Sequence, residues 1–421
     1  MRSVRGAAVV VVPAGASVNS VSEPDPFEGF PLFGDLAKLF GQGGGGVPWD
    51  AARSLALAVA TDNASEPNVD PLERIKLEQL ARVAELHVAN VTGLSTTITG
   101  RELTVVPVNR AHWAQRTLAD YRPLLEKLAG SLGSAEGLAQ VADDPDLGPG
   151  ADEDQLAAML GPMIQAMQPM MVAMTAGSMV GHMARRSFGQ YDLPIPRTPS
   201  DELLILVPNL DAFGREWSLP PDDLRLWICL HQIAHHTVLG VPHVRERLQS
   251  LLGEYTTKFR NDPHALEEHL GELDLTGGPE SLASIQQALG EPGALLGAIQ
   301  SDEQRALLPQ VEALVAVVVG VVDHVMDEVG AKLIASYGML TEALRRRRVE
   351  TGDADRFVER LLGLELTQAT YDRGAAFVAG VVERAGAEGL ARLWEGGAML
   401  PSPPEVDAPG LWLARIDLPA D

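Results

Sequence analysis

The chain has 421 residues, 46% of them hydrophobic, and its 57 acidic against 33 basic side chains give a formal net charge of −24. A surface this acidic repels nucleic acid and anionic lipid, so neither is expected as a partner. The single cysteine, Cys229, excludes an intrachain disulfide and fits a reducing compartment, so the expected location is cytoplasmic. No run approaches the 18 or so apolar residues of a membrane span.

The N-terminal residues 1–26 lack hydrophobic periodicity and predict a disordered extension. Arg2 and Arg5 ahead of the apolar residues 7–12 outline a signal peptide, but that apolar run is too short for one. The segment 27–40 is apolar and aromatic, and it leads into a glycine run that is typical of a flexible connector.

Hydrophobic spacing over the rest of the chain predicts a mainly α fold with a small β component. Helices are expected at 49–60, 71–91, 112–132, 219–239, 305–334, 353–363 and 367–385, strands at 103–107 and 203–207, and loops at 141–154 and 273–303. The methionine-rich stretch 159–183 predicts a further helix, with an adaptable core face or, alternatively, a groove for a partner. The basic run 345–348 predicts a solvated face or pairs with nearby carboxylates.

One segment, residues 227–236 (WICLHQIAHH), carries the candidate chemistry. His231 and His235 are four residues apart on a predicted helix, so both imidazoles project from one face. Histidines at this spacing supply two zinc ligands in the H-E-x-x-H pattern, whose glutamate is the general base that activates the zinc-bound water. Gln232 stands at the glutamate position, and its amide cannot accept a proton at neutral pH.

The residues alone leave two interpretations of this pair equally open. One is a metal site, and the other is a helix with histidines packed near its surface, because the spacing arises readily by chance in a chain with ten histidines. The context adds weight to the metal site. The predicted strand 203–207 precedes the helix and is edge-like, and peptidases of this class bind an extended substrate along such a strand.

Further stretches, spread collinearly over residues 27–416, match one protein family: PLFGDLA (31–37), GSMVGH (177–182), GQYDLPIP (189–196), the segment 227–236, DHVMD (323–327), LLGL (361–364), YDRGAAF (371–377) and WE (394–395). With these stretches the chain resembles the actinobacterial zincin-like metallopeptidases, many of them described only as hydrolases. A sister branch of that family is associated with biosynthesis of a deazaflavin coenzyme. The resemblance implies a zincin-like α+β fold with a two-histidine active-site helix.

Two positions depart from the family pattern. The family motif is H-E-x-x-H-H, so Gln232 replaces the general base. On a second helix the family carries a glutamate as third zinc ligand, and Val319 stands at that position. Asp323, four residues later, fits the aspartate that orients a ligating histidine.

Replacements for the missing third ligand are open. His324, Asp323 and His236 are the candidates, and nothing in the sequence shows that any of them reaches the metal. Asp192 is a further candidate for a polar cleft residue, although a turn-capping role is favoured by the turn preference of aspartate.

The sequence therefore predicts a disordered extension at 1–26, a zincin-like domain at 27–416 and a tail at 417–421. Within the domain, a helical part covers about 27–140 and a metallopeptidase-like part about 155–416. The favoured function is a catalytically inactive family member that binds or scaffolds a peptide or protein partner, with zinc binding weak or lost. The alternatives are an active zinc hydrolase with rearranged ligands and a helical interaction protein without metal.

Overall fold

Helices dominate the part of the chain that the computed structural model describes, which comprises residues 46–132, 151–261, 298–299, 301–349 and 353–418. The helices are α1 (Trp49–Thr61), α2 (Pro71–Thr92), α3 (Arg110–Leu132), α4 (Ala151–Arg186), α5 (Val207–Glu216), α6 (Pro221–Gly240), α7 (Pro242–Thr257), α8 (Asp302–Leu333), α9 (Tyr337–Val349), α10 (Asp353–Leu362), α11 (Gln368–Ala391), α12 (Pro403–Asp407) and α13 (Pro409–Ile416). The strands are β1 (Thr104–Val108), β2 (Glu202–Leu206), β3 (Arg260–Asn261) and β4 (Ala298–Ile299). The predicted fold class, mainly α with a small β component, is confirmed.

Every predicted helix and strand is observed, whereas α5, α7, α9, α12, α13, β3 and β4 were not predicted. The bounds of two predicted loops also need correction. The predictions for residues 1–40, and for most of the loops at 141–154 and 273–303, lie outside the described residues. Residues 151–154 are helical and not a loop, because α4 begins at Ala151. Similarly, residues 302–303 begin α8, where Ser301 forms a capping box with Gln304.

Strand β2 is covered on both sides. It pairs in parallel with β1, in the register Val105 to Leu203, and Ile205 forms an antiparallel bridge with Gly189 on the other side. The Leu206 amide also donates to the Phe188 carbonyl, at 2.7 Å. The predicted edge-like strand is therefore wrong, because the preceding segment folds back along it and takes the backbone groups that a substrate peptide would use.

Helix α8 is buried over its apolar middle, from Val311 to Val322, and packs against α6 and α11. By length and composition alone it could also cross a membrane, but 61% of its most apolar 18-residue window is buried inside the fold, and the core helix of a soluble protein passes the same test. Its crossing with α11 is very close. A Cβ atom on Gly374 would lie 2.1 Å from the Ala316 carbonyl oxygen.

This crossing generates a first prediction. Gly374→Ala should lower the free energy of unfolding by about 1–3 kcal/mol or more, because two helix backbones must separate to admit the methyl group. Gly338→Ala is the matched control, since nothing lies within 4 Å of its Cβ position, and an added methyl group there should stabilise α9 by about 0.5–1 kcal/mol. Urea unfolding of both variants measures the difference. Equal stabilities would contradict the close crossing.

Candidate functional site

The two histidines of the motif lie side by side on α6. The ring centroids of His231 and His235 are 4.4 Å apart. The Nδ1 atom of His235 lies 3.0 Å from the His231 carbonyl oxygen. A carbonyl can only accept a hydrogen bond, so this Nδ1 carries the proton and Nε2 keeps its lone pair. Trp227 stacks on His231, with ring centroids 4.8 Å apart.

Both imidazoles are neutral at pH 7. Burial lowers the pKa of His231 well below 6.5, and the neighbouring charges of His235 and Arg348 act in the same direction. Burial also lowers the pKa of His235 to about 4. His236 faces a different environment, with Nδ1 3.1 Å from the Tyr191 hydroxyl, and burial lowers its pKa to about 4 as well. Neutral imidazole is the form that binds metal, so the protonation state of the pair permits a ligand role.

Gln232 is fully buried and its amide is taken up by the turn at residues 188–192. Its Oε1 accepts a hydrogen bond of 2.7 Å from the Tyr191 amide, and its Nε2 donates to Asp192 Oδ1 at 3.3 Å. Asp192 accepts two more bonds, from the amides of Phe188 and Gly189 at 2.7 and 3.1 Å. Asp192 thus caps the turn, and Gln232, which the sequence predicts at the general-base position, holds that turn by two hydrogen bonds.

Val319 lies in the wall of the cavity that His231 and His235 also line. It is 2% exposed and presents only methyl groups. Asp323 lies one turn further along α8, where its carboxylate is 4.0 Å from the Arg348 guanidinium and burial raises its pKa to about 6.

The candidates for a third ligand, His236, His324 and Asp323, do not line the cavity. The second nitrogen of His236 is 3.9 Å from Asp201. Of the candidates named from the sequence, Asp192 alone lines the cavity together with the two histidines.

The donor set does not fit a catalytic zinc ion. Among the described residues no group of three His, Cys, Asp or Glu side chains is arranged to hold a metal. Two imidazoles face a valine, and the charge of Arg348 is close enough to depress both imidazole pKa values. A catalytic zinc site has three protein ligands, and a nearby guanidinium repels a dication.

Arg347 and Arg348 belong to the site but were not predicted from the sequence. The basic run 345–348 exposes its first two arginines to solvent and directs the other two to the cavity. Arg345 and Arg346 are exposed, and Arg346 pairs with Glu342. Arg347 instead lies 3.6 Å over the Phe188 ring, and Arg348 lies 4.0 Å over the Tyr371 ring. The sequence does contain a signal for this division of the run, namely the period of the helix. Four consecutive residues on a helix cover all of its sides, so a packed helix cannot expose the whole run.

The cavity has a volume of about 170 Å³ and is formed by α4, α6, α8, α9, α10 and α11 with the turn at 188–192. Its apolar walls include Leu193, Trp227, Ile228, Leu344, Val358 and Leu366, beside Val319. Its charged groups are Arg186, Arg347, Arg348, Asp192 and Glu359. A second cavity of about 430 Å³, here called the vestibule, shares Arg348, Glu359, Leu366 and Tyr371 with it.

The buried histidines give a pH prediction. His231, His235 and His236 should all be neutral at about pH 5.5, because burial holds their pKa values below that of a solvated imidazole. Their side-chain nitrogen shifts in NMR spectra of histidine-labelled protein measure this directly, and midpoints near 6.5 would contradict it. Unfolding exposes the three imidazoles, which then take up protons at pH values below 6.5. The free energy of unfolding should therefore fall from pH 6.5 towards pH 4, by roughly 2–3 kcal/mol for each of His235 and His236.

The contact between Gln232 and Asp192 gives a prediction in which stability changes with pH in the opposite direction. Gln232→Glu places two buried carboxylates together, and it should lower the free energy of unfolding at about pH 8 by about 2–4 kcal/mol. The variant should regain stability as the pH falls towards 6.5, because one carboxyl group then takes up a proton. Gln368→Glu is the matched control, since Gln368 also donates to an aspartate, Asp372, but on an exposed surface. There the change should stay within about 0.5 kcal/mol. Urea titrations at several pH values test both variants, and equal losses would contradict the buried contact.

Comparisons with known proteins assign the chain. A crystal structure of a "putative hydrolase with a novel fold" from Chloroflexus aurantiacus is similar over 89% of this chain and 100% of that chain, with a TM-score of 0.55 and 22% sequence identity. That likeness concerns the fold. The comparison with curated proteins gave no match. The model of the zincin-like metallopeptidase family matches residues 47–413, which include α6, α8 and the whole cavity. The chain therefore belongs to the zincin-like metallopeptidase family.

Proposed function

We propose that this chain is a catalytically inactive zincin-like protein that uses the cavity beside His231 and His235 to bind a peptide or protein partner. The proposal rests mainly on Val319. It lines the same cavity as the two histidines, at the position predicted for the third zinc ligand, and its side chain cannot bind a metal. The engagement of the Gln232 amide by Tyr191 and Asp192 supports the same proposal.

The chemistry of peptide hydrolysis explains why these two positions matter. A zinc ion polarises the scissile carbonyl and lowers the pKa of its bound water, and both effects require a stably held ion. A general base adds a factor of about 10²–10⁴ by moving the proton to the leaving amine. A valine and a hydrogen-bonded amide supply neither the ligand nor the base.

The covered strand β2 supports a binding mode that differs from that of a peptidase. Since Gly189 and β1 take the two edges of β2, a partner peptide would enter through the vestibule and not add as a strand. The partner class, the cytoplasmic location, the actinobacterial origin and the relation to a deazaflavin-linked branch stay predictions.

The alternative is a zinc hydrolase with rearranged ligands, and one observation favours it. The Glu359 carboxylate lines the same cavity as His231 and His235. A shift of α10 that brings Glu359 to the histidines would complete a three-ligand set. The second alternative is a helical interaction protein without metal. It differs from the main proposal only in that its histidines bind no metal at all.

Zinc content and turnover test the proposal. Protein purified without a histidine tag and dialysed against a mild chelator should hold well under one zinc per chain, and it should cleave no member of a peptide library. Stoichiometric zinc with zinc-dependent cleavage would overturn the inactive assignment, and Glu359→Gln would then be the first variant to examine.

A gain-of-ligand variant sharpens the test. Val319→Glu should bind zinc more tightly than the parent, by about tenfold or more, because it restores the third ligand and its negative charge. Val319→Gln is the matched control, since it has the same shape without the charge. Equal zinc affinities of the two variants, measured by competition with a chromogenic chelator, would mean that position 319 does not face the metal-binding point.

A further inference from the structure

We propose that α2 is the contact surface of an antiparallel homodimer, centred on Gln79. The contact is made by a row of exposed hydrophobic side chains, here called the apolar stripe, which consists of Leu72, Ile75, Val83 and Leu86. The stripe lies outside the lining of the cavity, so the inference goes beyond the proposed function and does not depend on it.

The apolar stripe is a concentration of exposed hydrophobic surface. Among the described residues seven large hydrophobic side chains are exposed, and the four members of the stripe, which are 42–69% exposed, belong to them. Single exposed hydrophobic residues are ordinary on a soluble protein, but a row of them on one helix face is typical of a protein–protein contact.

Helix α2 is held so that the stripe faces outward. Its opposite face is buried in the core through Leu77, Ala81, Ala84 and Val88. Near its first turn, Glu73 accepts a hydrogen bond of 2.7 Å from the Nε atom of Arg225, a buried residue of α6. The stripe therefore stays on the outside of the fold, where only another molecule or a further segment of the chain can cover it.

The spacing of the stripe is symmetric about Gln79. Leu72 and Leu86 lie seven residues to either side of it, and Ile75 and Val83 lie four residues to either side. In an antiparallel pair with its two-fold axis at Gln79, each leucine faces the other leucine of the second copy, and each Ile75 faces Val83. A two-fold contact requires a self-complementary surface of this kind.

Gln79 suits the centre of such a contact. It is exposed and lies between the two halves of the stripe at helical spacing. Two glutamine amides that meet across a two-fold axis can each donate and accept a hydrogen bond. A polar residue inside an apolar helix contact favours one register over others, because a shifted pair would place the amide against a hydrophobic side chain.

The charge of α2 permits two copies to approach. The helix has three glutamates and three basic residues, so it is neutral within a chain of net charge −24. The remaining surface of two such chains is mutually repulsive, and contact through a neutral helix avoids the strongest repulsion. The partner that the charges favour is therefore one that meets α2 itself.

Two charged residues border the stripe on the same side, and they are complementary to themselves. The helical period places Glu78 and Arg82 on that border, and the antiparallel pair brings Arg82 of one copy within one helical turn of Glu78 of the other. Arg82 is free to exchange partners, because its ion pair with Glu102 is long, at 4.0 Å, and both side chains are exposed. Glu78 accepts one hydrogen bond from Arg74 and has a second oxygen for Arg82 of the other copy.

The size of the surface sets the strength of the dimer. A helix of 22 residues is about 33 Å long and about 10 Å wide, so α2 offers a flat area of about 330 Å² per copy. A stable protein–protein interface buries about 800 Å² per partner. The dimer is therefore weak, and it should form at micromolar and not at nanomolar concentrations.

Sedimentation of the full chain over the micromolar range, at physiological salt, tests the association. The average mass should rise with concentration from that of one chain towards that of two. Leu86→Glu should weaken the association about tenfold or more, because it places a charge against Leu72 of the second copy. Leu411→Glu is the matched control, since Leu411 on α13 is 59% exposed and Leu86 is 61% exposed, and it should leave the association unchanged.

A charge exchange tests the border of the stripe. Glu78→Arg and Arg82→Glu should each weaken self-association, because like charges then face each other across the axis. An equimolar mixture of the two variants should associate more tightly than either variant alone. No gain on mixing would mean that this border does not meet a second copy of itself.

Cysteine cross-linking tests the antiparallel orientation. Leu72→Cys and Leu86→Cys, mixed and treated with oxidised glutathione, should form a disulfide between the two variants, identified by mass spectrometry. Leu72→Cys alone should not cross-link, because its two copies would lie about 21 Å apart along the helices. Cys229 is buried and does not interfere.

The remaining outcomes each overturn the inference. A chain that stays monomeric at every concentration has no such dimer, and a loss of stability in monomeric Leu86→Glu would show that a segment of the same chain covers the stripe. A dimer that Leu86→Glu leaves intact uses another surface, and efficient cross-linking of Leu72→Cys with itself would indicate a parallel pair. None of these results bears on zinc content or peptide cleavage, so the proposed function stands or falls separately.

Discussion

The hydrogen bonds of Gln232 hold the turn at residues 188–192 against α6, and the whole site depends on that contact. The turn covers the edge of β2, aligns the Tyr191 ring beside His235, and places Phe188 beneath Arg347. A glutamate at position 232 would put a second buried carboxylate against Asp192. The amide therefore suits a buried, hydrogen-bonded contact better than the acid that catalysis requires.

The electrostatics of the cavity follow from that arrangement. Val319 offers the histidine pair neither a metal ligand nor a negative charge. The Arg348 guanidinium lies close enough to lower the pKa of both imidazoles, and burial acts in the same direction, so His231 and His235 are neutral.

The buried helix α8 fixes the position of the valine. Gly320 of α8 and Gly374 of α11 meet at the crossing of these helices and let the two backbones touch, so α8 has little freedom to rotate or slide. Val319 is thereby held towards the histidines and Asp323 towards Arg348. A replacement ligand on α8 would have to come from position 319 itself, which is why substitution there is the informative experiment.

The sequence by itself determined eight of the helices (α1–α4, α6, α8, α10 and α11), the strands β1 and β2 and the histidine pair, because each rests on contacts between residues a few positions apart. The helical period placed α2, α3 and α6 within about two residues of their observed ends, which is the usual uncertainty of helix boundaries. The i, i+4 spacing put His231 and His235 on one face. Only the tertiary structure decided what those faces meet. Gln232 bonds to a residue 41 positions away and Arg347 contacts one 161 positions away, and no local pattern specifies such partners. The covered edge of β2, the division of the basic run between solvent and cavity, and the net charge around the histidines all arise from such distant pairings, because side-chain direction is fixed by packing and not by sequence period.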